Sequence, residues 1–192
     1  MAISSTNSEL NATQVQLTRQ WLEQVVIGLG LCPFAAQPLL ENRVRIQVCD
    51  STTELQLLET LYAELDWLDQ QPDTELETTL LVSPNMLTNF ADYNQFLDQV
   101  DTLLDEFSWH GEYQVASFHP QYCFANVAPE AAENLTNRSP YPTLHLIREA
   151  SLTAALTHIE RPEEIPAQNI RRVNSLHSDE KRRLFPWVFS AT

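Results

Sequence analysis

Three short β-type segments recur about thirty residues apart, and each gap between them holds a helical pattern. The segments cover residues 43–48, 78–82 and 113–118, where β-branched and aromatic residues are frequent. This βαβαβ order predicts an α/β fold with a small, mainly parallel sheet that is covered by helices. Residues 144–159 predict a further helix, although residues 143–147 alternatively predict a fourth strand.

Two amphipathic helices are predicted between the strands. Apolar residues recur every three or four positions over residues 55–68 and again over residues 90–107. Ser51 and Glu54 have the spacing of a capping box at the start of the first of these helices. Both helices are therefore expected to bury one apolar face against the sheet.

The ends of the chain are predicted to lie outside this core. Residues 1–12 are polar and indicate a flexible N-terminus, ahead of a helical pattern that starts at Thr13. A last helix is predicted over residues 167–177, and residues 179–192 form a basic and then apolar C-terminal tail. The predicted organisation is one α/β domain over residues 13–178.

The formal net charge of -15 is concentrated in the middle of the chain. Between Arg45 and Arg138 there are 17 acidic residues and no lysine or arginine. A surface of this sign repels phosphate backbones, which excludes nucleic acid as a partner of this region. The acid excess is typical of a soluble protein. An alternative hypothesis is that the two central helices belong to a non-catalytic module that binds a basic protein partner.

Composition also indicates the cellular compartment. The chain has no apolar run of the ~20 residues that a membrane span requires, and it has no basic and apolar leader, so no membrane association is expected. Cys32, Cys49 and Cys123 are odd in number and lack C-x-x-C spacing, which argues against disulfides and a closed zinc site. We therefore predict a cytoplasmic protein with reduced thiols.

The position of a ligand pocket follows from the predicted sheet. In parallel sheets, ligands bind at the carboxyl ends of the strands, where Asn85 and His119 are found here. The segment that follows contains Arg138, His145 and Arg148 among several prolines. Titratable groups on backbone stiffened by proline indicate a constructed pocket.

His119 is the first candidate for acid or base catalysis, because imidazole titrates near neutral pH. The alternative is a ring that caps a neighbouring loop through hydrogen bonds. Arg138, together with Arg148, would hold an anion, or it would pair with an acidic residue of the protein itself. The resulting hypothesis is an enzyme that acts on a small anionic metabolite.

His145 and Glu149 are four residues apart and would share one face of a helix. There they would orient the site or, together with His119, hold a metal ion, although the chain lacks an H-E-x-x-H motif. Asn137, Tyr141 and Asn169 would orient a ligand or tie the irregular segment to the body of the domain. No cofactor is predicted.

Cys32 follows the predicted end of the first helix and precedes Pro33. It is a nucleophile if a base such as His119 lies within hydrogen-bond reach, and otherwise a small buried residue in a turn. A thiolate ligand for haem is a third and more remote alternative for a Cys-Pro pair. The chain has no G-x-G-x-x-G, G-x-x-x-x-G-K-[ST] or G-x-S-x-G motif, which disfavours Rossmann, P-loop and α/β-hydrolase chemistry.

Five motifs occur in a characteristic order: Leu-Cys-Pro-Phe-Ala at 31–35, Phe-His-Pro-x-Tyr-x-Phe-Ala at 118–125, Asn-Arg-Ser-Pro-Tyr-Pro at 137–142, Leu-His-Leu-x-Arg-Glu at 144–149 and Ile-Pro-x-x-Asn-Ile at 165–170. Together they cover nearly the whole chain from Thr18 to about His177. In this respect the sequence resembles a bacterial and plastid-associated family, domain of unknown function 1415. The resemblance implies a stand-alone soluble protein and assigns no activity to any residue.

Overall fold

A four-stranded sheet forms the centre of the fold. The computed structural model describes residues 2–189, with side chains from Ser8 onward; Met1 and the last three residues of the predicted tail lie outside the described residues. The strands are β1 (Val44–Val48), β2 (Thr78–Val82), β3 (Tyr113–Phe118) and β4 (Thr143–Arg148). They lie side by side in the order β1-β2-β4-β3.

The sheet is mixed, which corrects the prediction of a mainly parallel sheet. β1 and β2 are parallel and β3 points the same way, but β4 lies antiparallel between β2 and β3. The helix predicted from Leu144 is therefore wrong over its first residues, and the alternative of a fourth strand is confirmed. Backbone pairing with a neighbour on each side stabilises β4 as a strand, and this tertiary gain outweighs local helical preference.

Helices cover both faces of the sheet. They are α1 (Ala2–Trp21), α2 (Ala36–Leu40), α3 (Glu54–Gln70), α4 (Phe90–Glu106), α5 (Glu149–Leu156), α6 (Ile165–Asn174), α7 (Ser178–Leu184) and α8 (Pro186–Phe189), with a π-helical segment (Leu22–Ile27) and two 3-10 segments (Ala132–Asn137 and Pro162–Glu164). Within residues 2–189, no helix has the length and apolar content that crossing a membrane requires.

The two amphipathic helices predicted between the strands are confirmed as α3 and α4. Thr53 precedes α3, and its hydroxyl accepts a hydrogen bond from the N–H of Gln56 at 3.3 Å. The side chain of Asn89 accepts from the N–H of Ala91 at 2.8 Å at the start of α4. The predicted cap at Ser51 is wrong by two residues, because Thr53 is the residue with extended backbone directly before the helix.

α3 and α4 cover one side of the sheet, which we call the α3/α4 face. Leu61 and Leu65 of α3 are fully buried there and pack in one cluster with Leu81, Leu144 and Leu146 of the strands. Each such leucine stabilises the fold by about 1.5–3 kcal/mol through burial. The apolar stripe that predicted α3 is therefore the stripe that holds the helix on the sheet.

We call the opposite side of the sheet the α1 face. The strand residues that point to it alternate along each strand with those that point to the α3/α4 face. Leu80 of β2 packs there in one cluster with Trp21 and Val25 of the first helix. Phe185, between α7 and α8, joins the same cluster and is fully buried. The basic and apolar C-terminal segment therefore contributes a core residue through Phe185.

α1 begins at Ala2, earlier than the helical pattern that starts at Thr13. The π-helical segment continues it without a break and ends at two glycines. A Cβ atom on Gly28 would lie 2.3 Å from the carbonyl oxygen of Gln24, and Gly30 has a φ of +68°. Only glycine fits the first position without a shift, and glycine is strongly favoured at the second.

Candidate functional site

His119 follows β3 as predicted, and its ring is completely buried. Nε2 donates a hydrogen bond to the carbonyl oxygen of Leu87 at 2.9 Å, and Nδ1 accepts one from the N–H of Gln121 at 3.0 Å. The rings of Phe90 and Tyr93 lie with their centroids 5.4 and 5.0 Å from the imidazole. Burial lowers the pKa of His119, so the ring is neutral and both of its nitrogens are engaged by backbone groups.

Arg138 stabilises the irregular segment that follows His119. Its Nε donates to the carbonyl oxygen of Tyr122 at 3.1 Å, and an Nη atom donates to that of Pro129 at 2.7 Å. Desolvation lowers the pKa of Arg138. The two residues at the centre of the predicted site therefore lie in one region of the molecule, and both bind backbone atoms of that region.

The residues predicted to orient a ligand also contact backbone or solvent. Asn137 donates to a carbonyl oxygen of β3 at 3.3 Å, and Asn169 of α6 donates to the carbonyl oxygen of Leu31 at 2.7 Å. Asn85 is exposed after β2, and Tyr141 is half-buried before β4. Their role in a site stays a prediction.

Arg148 lies on the α3/α4 face, at the C-terminal end of α3. Its guanidinium donates to the carbonyl oxygens of Leu68, Gln71 and Leu76 and to the hydroxyl of Tyr113. Carbonyl groups at a helix end lack partners within the helix, so a cation there satisfies them. The structure thus gives Arg148 a place in the packing of α3 onto β4.

His145 and Glu149 do not form the predicted helical pair, because His145 lies in β4 whereas Glu149 is the first residue of α5. Successive residues of a strand point to opposite faces, so His145 lies on the α1 face while Arg148 lies on the other. In the part of the chain that the structure describes, no group of three His, Cys, Asp or Glu side chains is arranged to hold a metal ion.

A cavity of about 650 Å³ lies on the α1 face, near the amino ends of β1 and β2. The sheet residues Thr78, Leu80 and His145 line one side, and residues 32–39 and the helix α5 line the others. We had predicted a pocket at the carboxyl ends of the strands, so the cavity lies at the opposite end of β1 and β2. The volume is in the range of sites that bind small molecules.

Cys32 and His145 are the two predicted site residues that line this cavity. Burial raises the pKa of Cys32, although the backbone N–H groups of Phe34 and Ala35 act in the opposite direction. The thiol is therefore protonated near neutral pH. His119, which we had considered as its base, is not among the cavity-lining residues.

The hydrogen bonds of His145 determine its tautomer. Thr78 has one hydroxyl proton, which it donates to the carbonyl oxygen of Leu146. Its oxygen lies 2.8 Å from Nε2 of His145 and therefore accepts a hydrogen bond from that nitrogen. Nδ1 has no protein partner among the described side chains and keeps its lone pair. Burial lowers the pKa of His145 to about 4, so the ring is neutral at pH 7.

Sequence reasoning missed the charged residues at the edge of the cavity. The guanidinium of Arg43 donates to the carboxylate of Glu41 at 2.8 Å, to that of Glu77 and to the carbonyl oxygen of Asp73. Arg43 and Glu77 each directly precede a strand, and β1 and β2 pair in register at the following residues. The register of that parallel pair is the signal that would have placed the two residues together.

A second concavity, of about 580 Å³, lies at the carboxyl end of β1. Its residues include Cys49, Ser51 and Thr60, and the sulfur of Cys49 lies 2.8 Å from the hydroxyl oxygen of Ser51. It lies at the carboxyl end of the strands, where a pocket was predicted, but none of the predicted site residues lines it.

The comparisons with known proteins agree with the resemblance seen in the five motifs. A sequence model of the family described as "Protein of unknown function (DUF1415)" matches residues 13–183. No curated protein and no solved structure gives a significant match. The matched range includes all four strands and both Cys32 and His145. The chain therefore belongs to the DUF1415 family.

Proposed function

We propose that this protein binds a small molecule with an apolar body and a neutral or cationic polar group in the cavity on the α1 face. The observation that supports this proposal is Nδ1 of His145, an acceptor that no described side chain or backbone group engages, in a cavity whose walls are mainly apolar. Such sites combine apolar walls with a few polar groups that orient the ligand.

The neutral ring of His145 suits it to accept a hydrogen bond. The Thr78 hydroxyl holds the proton on Nε2, so Nδ1 presents a lone pair to an O–H or N–H group of a ligand. Because the pKa is about 4, this acceptor is present throughout the neutral range. Nδ1 is not among the fully buried atoms without a partner in the described side chains, so a donor on the ligand can reach it from the cavity.

Charge at the edge of the cavity favours a neutral or cationic ligand over the small anion expected from the sequence. Arg43 is paired with two carboxylates, Glu41 and Glu77, and the Asp73 side chain adds a further negative charge. An anion would meet this negative edge without an unpaired guanidinium to hold it. Arg138, the expected anion holder, already donates to two carbonyl oxygens.

Of the two histidines that the sequence suggested for acid or base chemistry, only His145 lines this cavity, so His119 takes no part in such a step there. With a pKa of about 4, His145 is a weak base, and Cys32 stays a thiol because burial raises its pKa. These two properties support binding, rather than thiolate catalysis, as the function of the cavity.

Three size-matched probes test this proposal: hexylamine, hexanol and hexanoate, each assayed by thermal shift and by calorimetry at pH 7. We expect the amine and the alcohol to stabilise the protein and hexanoate to bind at least about fivefold more weakly. Ala155→Phe, on the side of α5 that lines the cavity, should weaken hexanol binding at least about tenfold.

The matched control is Thr153→Phe, on the exposed side of the same helix, which should keep wild-type affinity. A second variant, His145→Phe, keeps a ring in place but removes the acceptor, and should weaken the alcohol more than a size-matched alkane. If all probes bind equally to Ala155→Phe and to the wild type, or if hexanoate binds best, the proposal is wrong.

A further inference from the structure

Three aromatic side chains, two of them exposed and one half-buried, form a cluster where the C-terminal end of α4 meets α3. The ring centroid of Tyr62 lies 4.6 Å from that of Phe107 and 5.2 Å from that of Trp109, and the last two are 5.7 Å apart. Phe107 is 49% exposed and Tyr62 is 37% exposed. We call these three residues the aromatic cluster. Contiguous aromatic surface of this kind often marks an interaction site.

Acidic residues lie close in sequence to the two exposed rings of the aromatic cluster. Glu59 and Asp66 lie three residues before and four residues after Tyr62, on the same side of α3. The two residues directly before Phe107 are also acidic, and no ion pair involves any of these four carboxylates within the described side chains. Residues 46–137 contain no lysine or arginine, so this part of the chain provides no cation of its own.

The acidic residues next to Phe107 are also unfavourable for α4. Asp105 and Glu106 lie in its last turn, which carries no basic residue. The C-terminal end of a helix has a partial negative charge, so carboxylates there are repelled. A cation bound from outside the chain would remove this repulsion. The stability of α4 alone therefore does not explain these two residues.

We propose that the aromatic cluster and its four carboxylates bind an arginine-bearing segment of a basic protein partner. The proposal is independent of the cavity on the α1 face, because α3 and α4 lie on the other side of the sheet. Charge complementarity selects a basic partner. The exposed rings then select among basic side chains.

Arginine fits this surface better than lysine. The three rings pack against each other with tilted planes, so they present outer faces rather than an open cage for a single ammonium group. A planar guanidinium stacks on such a face and still donates two parallel hydrogen bonds to a carboxylate. Lysine provides a point charge and attracts the carboxylates alone.

Two fluorescein-labelled peptides of equal charge test the proposal, one of repeated Gly-Ser-Arg units and one of repeated Gly-Ser-Lys units. Fluorescence anisotropy at a fixed salt concentration should show the arginine peptide binding at least about threefold more tightly than the lysine peptide. The double variant Tyr62→Ser/Phe107→Ser should weaken the arginine peptide about tenfold and remove the preference over lysine. Both residues are exposed, so the variant is expected to fold, which circular dichroism checks.

Two controls separate this surface from general attraction to an acidic protein. Phe189→Ser removes an equally exposed aromatic residue near the C-terminus and should leave binding unchanged. Asp105→Asn/Glu106→Gln should weaken the arginine peptide more than Glu160→Gln/Glu163→Gln, which changes the net charge equally. Equal losses from the two acidic pairs, or equal binding of both peptides to the wild type, would overturn the proposal. It would also be overturned if the protein dimerised without peptide and Tyr62→Ser/Phe107→Ser abolished the dimer, because a second copy would then occupy the surface.

Discussion

The loop around His119 and the cavity around His145 contain the same side chain in different roles. Both imidazoles are desolvated, and the pKa of each is lowered. At His119 a backbone group engages each ring nitrogen, whereas at His145 only Nε2 has a partner among the residues that the structure describes. His119 is completely buried whereas His145 is partly exposed, so a lowered pKa by itself does not distinguish a structural histidine from a candidate binding residue. The partner of the second ring nitrogen does.

The two histidines also differ in how much the neighbouring backbone depends on the ring. His119 bonds to Leu87, whose φ of +54° is a conformation that leucine rarely adopts. Its ring thus holds two loops in place, one of them in an unfavourable geometry. His145 lies in a regular strand that pairs on both sides, so the backbone of β4 does not depend on its ring.

Replacing each histidine by alanine should separate the two roles. We expect His119→Ala to lower the free energy of unfolding by roughly 3 kcal/mol, because it leaves a buried void and removes two hydrogen bonds to partly buried backbone groups. His145→Ala removes one hydrogen bond beside an existing cavity and should cost about 1 kcal/mol. Urea unfolding at pH 7.5 measures both values. Equal losses would contradict the comparison.

The pH dependence of stability should report the desolvation of His145. An ordinary histidine in the unfolded chain takes up a proton near pH 6.5, whereas folded His145 stays neutral down to about pH 4. The unfolded state therefore binds more protons between these values, and the folded state loses stability as the pH falls through this window. Between pH 7 and pH 5 the wild type should lose roughly 2 kcal/mol more than His145→Gln.

Urea unfolding of both proteins at pH 7, 6 and 5 measures this difference. The lowered pKa of His119 acts in the same direction, so His119→Gln should also reduce the slope. Parallel stability curves for His145→Gln and the wild type would show that the folded ring takes up its proton normally, and that it is more hydrated than the structure indicates.

Thr78→Val tests whether the Thr78 hydroxyl determines which ring nitrogen of His145 carries the proton. The change keeps the shape of the side chain but removes the hydroxyl that holds the proton on Nε2 of His145. We expect a stability loss of about 1 kcal/mol and a mixture of tautomers in the ¹⁵N spectrum of the ring. Thr74→Val, at the exposed edge of the same cavity, is the control. An unchanged tautomer in Thr78→Val would show that another contact holds the ring.

Much of the secondary structure was predictable because its signals are local. The periods of two and of three to four residues located β1, β2, β3, α3 and α4, with errors of one to two residues at their ends. The five motifs also indicated the family, and the match over residues 13–183 confirms it. For these features, neighbouring residues carry the information.

The candidate site was much less predictable. The sequence singled out Cys32 and His145, which both line the cavity, but it paired His145 with Glu149 on one helix, whereas His145 lies in β4. Arg148 was expected to hold a ligand, whereas its position in β4 directs it to the end of α3. Both placements follow from one short segment, which forms β4 and not the helix that we predicted.

The amino-acid sequence alone determined the alternation of helices and strands, the uneven charge and the family, because each of these depends on residues close together in the chain. Tertiary structure alone decided that β4 inserts antiparallel between β2 and β3 and that the cavity lies at the amino ends of β1 and β2. It also decided that Nδ1 of His145 has no partner there among the described residues. Strand pairing joins residues that are far apart in sequence, and the free energy of those contacts exceeds the local preferences that a pattern can reveal.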